Sequence, residues 1–287
     1  MQTDVVELTR PLPPFHLKAI KYGLARFFLK TVGRLSKGID IGCRHGFDSG
    51  VMLDHVYDNQ AQGRLLIGRL IDRLYLDAPG WAGIRARGEL LRETLVARLD
   101  AIAAVKRAQG KGAPVLADLA CGGGRYIIGA LRALEDIGVE VHATLRDYRP
   151  ENVTKARENA AREGVSPTIE LGDAFADSDL RKLPKPDVVV VSGLHEIITE
   201  DTVVKRHFGQ LAQLLPSGGC LIVTLQPQHP QLELIARVLT SHSGRPWAMR
   251  LRPIGLITAW ARTAGFAVET VKREPRGIFG VLVARKR

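Results

Sequence analysis

Residues 114–131, PVLADLACGGGRYIIGAL, constrain the fold of this chain more than any other stretch. A short apolar run, Val115, Leu116 and Ala117, ends in Asp118. Gly122, Gly123 and Gly124 follow, and residues 126–134 then repeat apolar side chains at helical spacing. The pattern predicts a strand, a tight glycine turn and the start of a helix. Glycines let backbone N–H groups approach a ligand with no Cβ in the way. The helix N-terminus adds a partial positive charge, and a carboxylate at the strand end accepts hydrogen bonds from a ligand's polar groups. The competing reading is a tight structural turn. Cys121, inside that turn, reads as a small space-filler rather than a nucleophile.

Beyond the polar, glycine-rich QGKGAP segment at 109–114, strand-like and helix-like segments alternate. That alternation predicts an α/β domain built on a parallel sheet. Strands are expected at 140–146, 168–171, 187–191 and 220–225, with helices at 150–163, 201–215 and 257–264. Residues 266–271 and 280–284 are expected to close the sheet as an antiparallel pair. The run 187–191 is fully apolar, as in a strand covered on both faces.

Ligands of an open parallel sheet bind at the carboxyl ends of its strands. Here those ends carry Asp118 with its glycines, Asp147, Asp173, and Ser192 through Glu196. An acidic residue some twenty positions after a glycine turn suits a ribose diol, and Asp147 stands there. The Asp173 carboxylate suits the exocyclic amine of adenine, a hydrogen-bond donor.

The spelling D-L-A-C-G-G-G resembles the first motif of class I S-adenosylmethionine-dependent methyltransferases, D-x-G-x-G-x-G. Asp118, Gly122 and Gly124 match, while Ala120 replaces the usual first glycine. LLPSGGCLIVT before the fifth strand and the late A-G-F are similar to that family too. The resemblance implies a Rossmann-like seven-stranded methyltransferase sheet over 112–287, preceded by a mostly helical N-terminal extension over 1–111. It implies S-adenosylmethionine as cofactor, with Asp118, Ala120, Gly122 and Gly124 bordering the methionine moiety. Asp147 would take the ribose hydroxyls and Asp173 with Ala174 the adenine, with Ser192 completing the set. The blocks SGVMLDHVYDNQ and QPQHPQLELIARVLTSH resemble a little-characterised bacterial group of methyltransferases. A Rossmann-like protein that binds no such cofactor is the alternative.

Methyl transfer is an in-line displacement, so the protein must align the acceptor and remove its proton where it has one. His195 is the first candidate base, because its ordinary pKa lies near working pH, and Glu196 is the second. Tyr57 and His229 are candidates for lining the acceptor pocket. Arg245, Arg250 and Arg252 around Trp247 either grip an acceptor phosphate or form a solvated loop. His45, Asp54 and His55 have no companion ligand cluster, so no metal is expected.

The N-terminal region begins with an irregular lead-in over 1–14 containing Pro11, Pro13 and Pro14. A helix is predicted over 15–35, with Leu17, Ile20, Leu24, Phe27, Phe28 and Leu35 on one face and basic residues mostly opposite. Such a helix lies in a membrane interface, or covers an apolar surface of its own protein or of a dimer partner. Residues 46–62 form either a lid over the reaction site or a solvated connection. Further helices are expected at 64–76, ending before Pro79-Gly80, and at about 84–107.

The net charge of +11 points to an anionic partner: nucleic acid, acidic phospholipid or a phosphorylated small molecule. Three scattered cysteines point to a reducing compartment without disulfides. No apolar run reaches membrane-span length, and no signal-peptide core stands at the N-terminus. A cytoplasmic protein is therefore expected, with peripheral contact at the inner membrane face through 15–35. Against nucleic acid, S-G-L-H after strand four is unlike the Asn/Asp-Pro-Pro-aromatic spelling of base-amino methyltransferases. No cysteine resembles a C5-pyrimidine nucleophile, and no RNA-binding motif is spelled out. The preferred acceptor is a small or lipid-like, anionic molecule. An RNA methyltransferase and a cofactor-binding regulator without catalysis are the alternatives.

Overall fold

Four consecutive valines, Val188–Val191, are buried on both faces and form the middle strand of the sheet. Unbroken β-branched runs suit that position, because each side chain packs against a helical layer. The computed structural model describes residues 5–287; residues 1–4, the start of the expected lead-in, lie outside the described residues.

The N-terminal elements are α1 (Val5–Thr9), α2 (Leu17–Lys30), a 3-10 turn (Val32–Leu35), α3 (Lys37–His45), α4 (Gly50–Asp58), α5 (Leu65–Leu76) and α6 (Pro79–Ala108). The sheet domain then runs β1 (Val115–Asp118), α7 (Arg125–Asp136), β2 (His142–Asp147), α8 (Pro150–Glu163), β3 (Thr168–Leu171), α9 (Asp177–Leu180) and β4 (Val188–Val191). It continues with α10 (Asp201–Leu214), β5 (Cys220–Leu225), α11 (Leu232–Val238), α12 (Ile254–Thr263), β6 (Phe266–Arg273) and β7 (Gly280–Lys286). The strand order is β3-β2-β1-β4-β5-β7-β6. The first five strands are parallel and β7 pairs antiparallel with β6, as expected; β7 also pairs antiparallel with β5. Asp118 lies in register with Leu145 of β2 and Val190 of β4, so the tips of these strands share one edge.

One face of the sheet is covered by α6, α7 and α8, with Leu91, Leu95 and Leu99 of α6 fully buried at four-residue spacing. The other face is covered by α10 and α12 around Phe208 and Phe266. A third cluster joins Met52, Val56, Leu76 and Trp81 to Ile235, Trp247 and Phe279, so the N-terminal helices sit on the loops after β5 and before β7.

Three expectations are corrected. The lead-in contains the short helix α1, whose segment is fastened by Arg237 donating to the carbonyls of Glu7 and Arg10. The helix expected to reach residue 35 stops at Lys30: Thr31 leaves helical geometry, and its N–H and hydroxyl both cap the carbonyls of Phe27 and Phe28. The long helix starts at Pro79 rather than 84, because a proline at the first helical position loses no hydrogen bond. The apolar stripe of α2 does not cover a patch of its own chain: Leu17, Ile20, Leu24 and Phe27 are exposed, while Tyr22 points inward. Lys18 pairing with Glu233, and Arg26 donating to the Arg237 carbonyl, dock the opposite side of α2 on α11.

Gly46 closes α3 at φ 90° and ψ 145°, and a Cβ there would lie 2.2 Å from the His242 backbone nitrogen. Asp48 accepts from the His242 N–H at 2.6 Å, which fixes the same approach. Both the backbone strain and the contact oppose a side chain. Gly46→Ala is expected to cost roughly 2–4 kcal/mol, read as a fall of several degrees in thermal unfolding midpoint.

Candidate active site

The glycine turn is held by a carboxylate at the tip of β2. Asp147 Oδ2 accepts from the Gly122 N–H at 2.9 Å, and Oδ1 accepts from the Arg149 N–H and the Asn152 amide, both at 3.0 Å. Gly122 and Gly124 adopt φ of 55° and 69°, the left-handed region that glycine enters without cost. These residues line a cavity of about 590 Å³ at the strand tips, together with Ala120, Asp173, Ala174, Ser192, Tyr57 and Arg245. The Asp173 side chain is exposed, with Oδ1 accepting from the Phe175 N–H. The Ser192 hydroxyl is buried without a hydrogen-bond partner among the described residues.

Asp118 does not line this cavity, which corrects its expected place beside a ligand. It is fully buried, accepts the Tyr126 hydroxyl at 3.0 Å and the Ala120 N–H at 3.3 Å, and presents Tyr126 to the cavity instead. Burial pushes its pKa up to about 7.

Residues 46–62 are no solvated connection. α4 lines the cavity through Gly50, Leu53, Asp54 and Tyr57, and Asp54 anchors it to the sheet domain. Arg125 donates to Asp54 at 2.5 Å, Lys155 and Asn159 approach at 3.2 Å, and Arg125 also pairs with Asp58. Burial opposes the Asp54 charge, yet Arg125 and Lys155 hold its carboxyl below the usual range. His55 is spent elsewhere, hydrogen-bonded to the buried Asp72 at 3.0 Å. Among the described residues no group of three or more His, Cys, Asp or Glu is placed to hold a metal.

A second cavity of about 270 Å³ adjoins the first, sharing Asp48, Leu53, Arg87, Gly193, Ile197 and Trp247 with it. Its walls are apolar and aromatic. Trp81 and Trp247 stack with centroids 5.7 Å apart, and Phe279 and Tyr75 add to them. Its polar lining residues include Arg87, Glu196, Gln226 and His229, with Asp48 and Gln231. Four buried atoms on its lining residues have no hydrogen-bond partner among the described residues: Arg87 Nε, Glu196 Oε2, Gln226 Nε2 and Trp247 Nε1.

Glu196 Oε1 accepts the Thr224 hydroxyl at 2.9 Å and lies 4.0 Å from Arg87 Nη1. Burial pushes the Glu196 pKa up, against the pull of Arg87. Burial also pushes the His229 pKa down to about 4.

His195 lines neither cavity, so its reading as the base is corrected. Its Nε2 is hydrogen-bonded to His207 Nδ1 at 2.8 Å, and its ring packs on Phe208. Burial and the neighbouring His207 push its pKa well below the ordinary value. Arg250 is corrected likewise: its guanidinium binds Asp201 at 2.9 Å and its N–H donates to the Glu196 carbonyl, which steadies the loop after β4. Arg252 also binds Asp201 and donates to the carbonyls of His195 and Ile198.

Sequence reasoning passed over Arg87, Trp81, Gln226, Tyr126 and Phe279. For Arg87 a signal existed, since it continues the Leu91, Leu95, Leu99 row one turn earlier and so faces inward.

A family model described as "Putative methyltransferase" matches residues 1–286. The chain belongs to this methyltransferase family. The Escherichia coli (strain K12) protein YnbC is 42% identical over 288 residues, covering 96% of this chain. The chain spans about half, 46%, of the length of that relative. A "possible exported protein" from Bordetella parapertussis has a similar structure, with TM-score 0.65 and 19% identity, over 98% of this chain and 92% of that one. Magnesium protoporphyrin IX methyltransferase from Synechocystis PCC 6803, solved with bound S-adenosylhomocysteine, matches with TM-score 0.52 and 17% identity over 86% of this chain and all of that one. An O-methyltransferase family 2 protein from Planctomyces limnophilus, in complex with apigenin, matches with TM-score 0.50 and 16% identity over 98% of both chains. The chain thus shares its fold with solved methyltransferases.

The buried Asp118 gives the stability of the fold a checkable pH dependence. Its pKa is about 7 in the fold against about 3.9 unfolded, so the fold binds the proton more tightly. The stability this contributes is whole below about pH 4 and is lost as pH rises through about 7, up to roughly 4 kcal/mol. Asp118→Asn, which cannot ionise, is expected to flatten that decline when ligand-free protein is unfolded in urea at a series of pH values.

Proposed function

We propose that this methyltransferase moves the methyl group of S-adenosylmethionine to a small or lipid-like acceptor seated against the stacked Trp81 and Trp247, with Glu196 as the base. The observation that carries the reading is the junction of the two cavities. A polar cleft at the strand tips meets an apolar pocket, and the unpartnered Glu196 Oε2 and Arg87 Nε lie beside the meeting point.

The residues of the larger cavity fit an adenosyl-sulfonium ligand. The turn at Gly122 carries no Cβ, and nothing lies within 4 Å of where one would stand. Asp147 Oδ2 holds a single hydrogen bond and keeps capacity for a ribose hydroxyl. Asp173 offers an exposed carboxylate toward an adenine amine, and the orphaned Ser192 hydroxyl awaits a polar partner. Bound there, the cofactor supplies a methyl group made electrophilic by its sulfonium.

The chain's own residues do the rest. The stacked tryptophans and Phe279 orient an apolar acceptor and exclude water, which strengthens every charge interaction inside. Arg87 meets an anionic or electron-rich group on the acceptor, consistent with a positively charged chain. The ionised Glu196 takes the proton that the acceptor loses, while Thr224 holds its other oxygen still. A pocket of this size and apolarity favours a small acceptor over RNA. The Synechocystis and Planctomyces proteins, named for or solved with flat ring systems, lend support to acceptors of that scale.

Activity is expected to rise with pH as Glu196 ionises, with a midpoint above the ordinary carboxylate value, because burial raises its pKa. Glu196→Gln is expected to lower kcat by roughly 10²–10⁴-fold while calorimetric binding of S-adenosylhomocysteine stays unchanged. The assay follows labelled methyl from the cofactor into a fractionated lysate. Label in the solvent-extractable fraction fits the reading, and label entering RNA replaces it with the RNA-modifying alternative. A variant that keeps its cellular effect without turnover marks a regulator instead.

A further inference from the structure

Among the described residues, twelve of the seventeen exposed large hydrophobic side chains lie on α2 with its lead-in, the 3-10 turn and α5. On α2, Ile20, Leu24 and Phe28 form an exposed row at four-residue spacing, with Leu17 and Phe27 alongside. On α5, Leu66, Leu70 and Leu74 form a second such row, with Leu66 83% exposed. Both helices pack on the 3-10 turn, where Val32 is 47% exposed, so the two rows flank one element. Exposed apolar surface concentrated in this way marks an interaction site.

We propose that this face seats the protein on an anionic lipid bilayer. Charge selects that occupant over a second copy of the chain. Residues 15–45 carry seven Lys or Arg and one acid, Asp40, which is already held between Arg34 and Arg44. Lys21 borders the α2 row and Lys30 lies further round on its other side, at about 100° per residue. Lys21, Lys30, Arg64 and Arg69 form no ion pair with any described residue. Self-association would bring these like charges together, whereas anionic headgroups neutralise them as the phenylalanines enter the acyl boundary.

The face is continuous with the acceptor pocket. Phe28 is 43% exposed and also lines the smaller cavity, together with Ala25 and Leu29 of the same helix. Membrane seating therefore places the pocket beside the lipid phase, so the acceptor is an amphiphile taken from the bilayer. This last step rests on the acceptor pocket proposed above; the seating itself does not.

Flotation of the full chain with phosphatidylcholine vesicles, and with vesicles also containing phosphatidylglycerol, tests the seating without cofactor or acceptor present. The protein is expected to float with the anionic vesicles alone, and less so at high salt. Leu24→Asp with Phe27→Asp, and separately Leu66→Glu with Leu70→Glu, are expected to cut the bound fraction on the order of tenfold. An unchanged far-UV circular-dichroism spectrum and thermal unfolding midpoint show that the variants are folded. Wild-type protein that ignores anionic vesicles overturns the proposal. A wild-type dimer that either pair of substitutions splits, seen by sedimentation, overturns it in favour of a second copy. Because flotation needs no methyl transfer, its failure and the failure of the enzymatic reading are separate results.

Discussion

The Asp147 carboxylate, at the tip of β2, is the contact on which the site depends. One oxygen clasps Gly122 of the turn after β1, and the other gathers Arg149 and Asn152 at the start of α8. Asn152 in turn meets α4, where only glycine fits at position 50 because a Cβ would lie 2.1 Å from its amide oxygen. A single carboxylate thus sets the distance between two strand tips and seats the helix above them. The Arg125–Asp54 pair, with Lys155 and Asn159, closes the same corner from the other side. Partly buried, multiply bonded charge pairs of this sort hold geometry better than exposed ones.

The acceptor side is built on the opposite principle. Four of its buried polar atoms have no hydrogen-bond partner among the described residues, a state that costs roughly 1–3 kcal/mol for each group. A fold bears that cost where a ligand later satisfies the groups, and Arg87, Glu196, Gln226 and Trp247 surround one space. The apolar walls around them keep the local dielectric low, so the Glu196 charge is expensive and its proton affinity high. That combination of a poised carboxylate and a fixed guanidinium distinguishes this pocket from the rest of the core.

Residues near the glycine turn were legible because their chemistry is local. Val115 to Gly124 read correctly as strand and turn, and Asp147, Asp173 and Ser192, singled out for their places at strand ends, line the larger cavity. His195 and Glu196 are adjacent in the chain and both read as candidate bases, His195 first, yet alternate side-chain directions sent His195 into the core against His207 and Glu196 to the cavity. Asp118 was placed at the right strand tip but not on the right side of it, since its carboxyl turns under the loop toward Tyr126. The arginines around Trp247 looked alike in sequence, and only their distance to Asp201 separates Arg250 and Arg252 from Arg245.

The sequence by itself determined the order of strands and helices, the glycine turn and the acidic strand tips, because hydrophobic period and turn chemistry act over a few residues. Tertiary structure alone decided that α4 closes the cleft, that Arg87 reaches Glu196 across 109 positions of chain, and that the apolar stripe of α2 faces outward. Those outcomes depend on which surfaces the sheet leaves open for the N-terminal helices. A helix cannot record in its own periodicity what, if anything, will cover it.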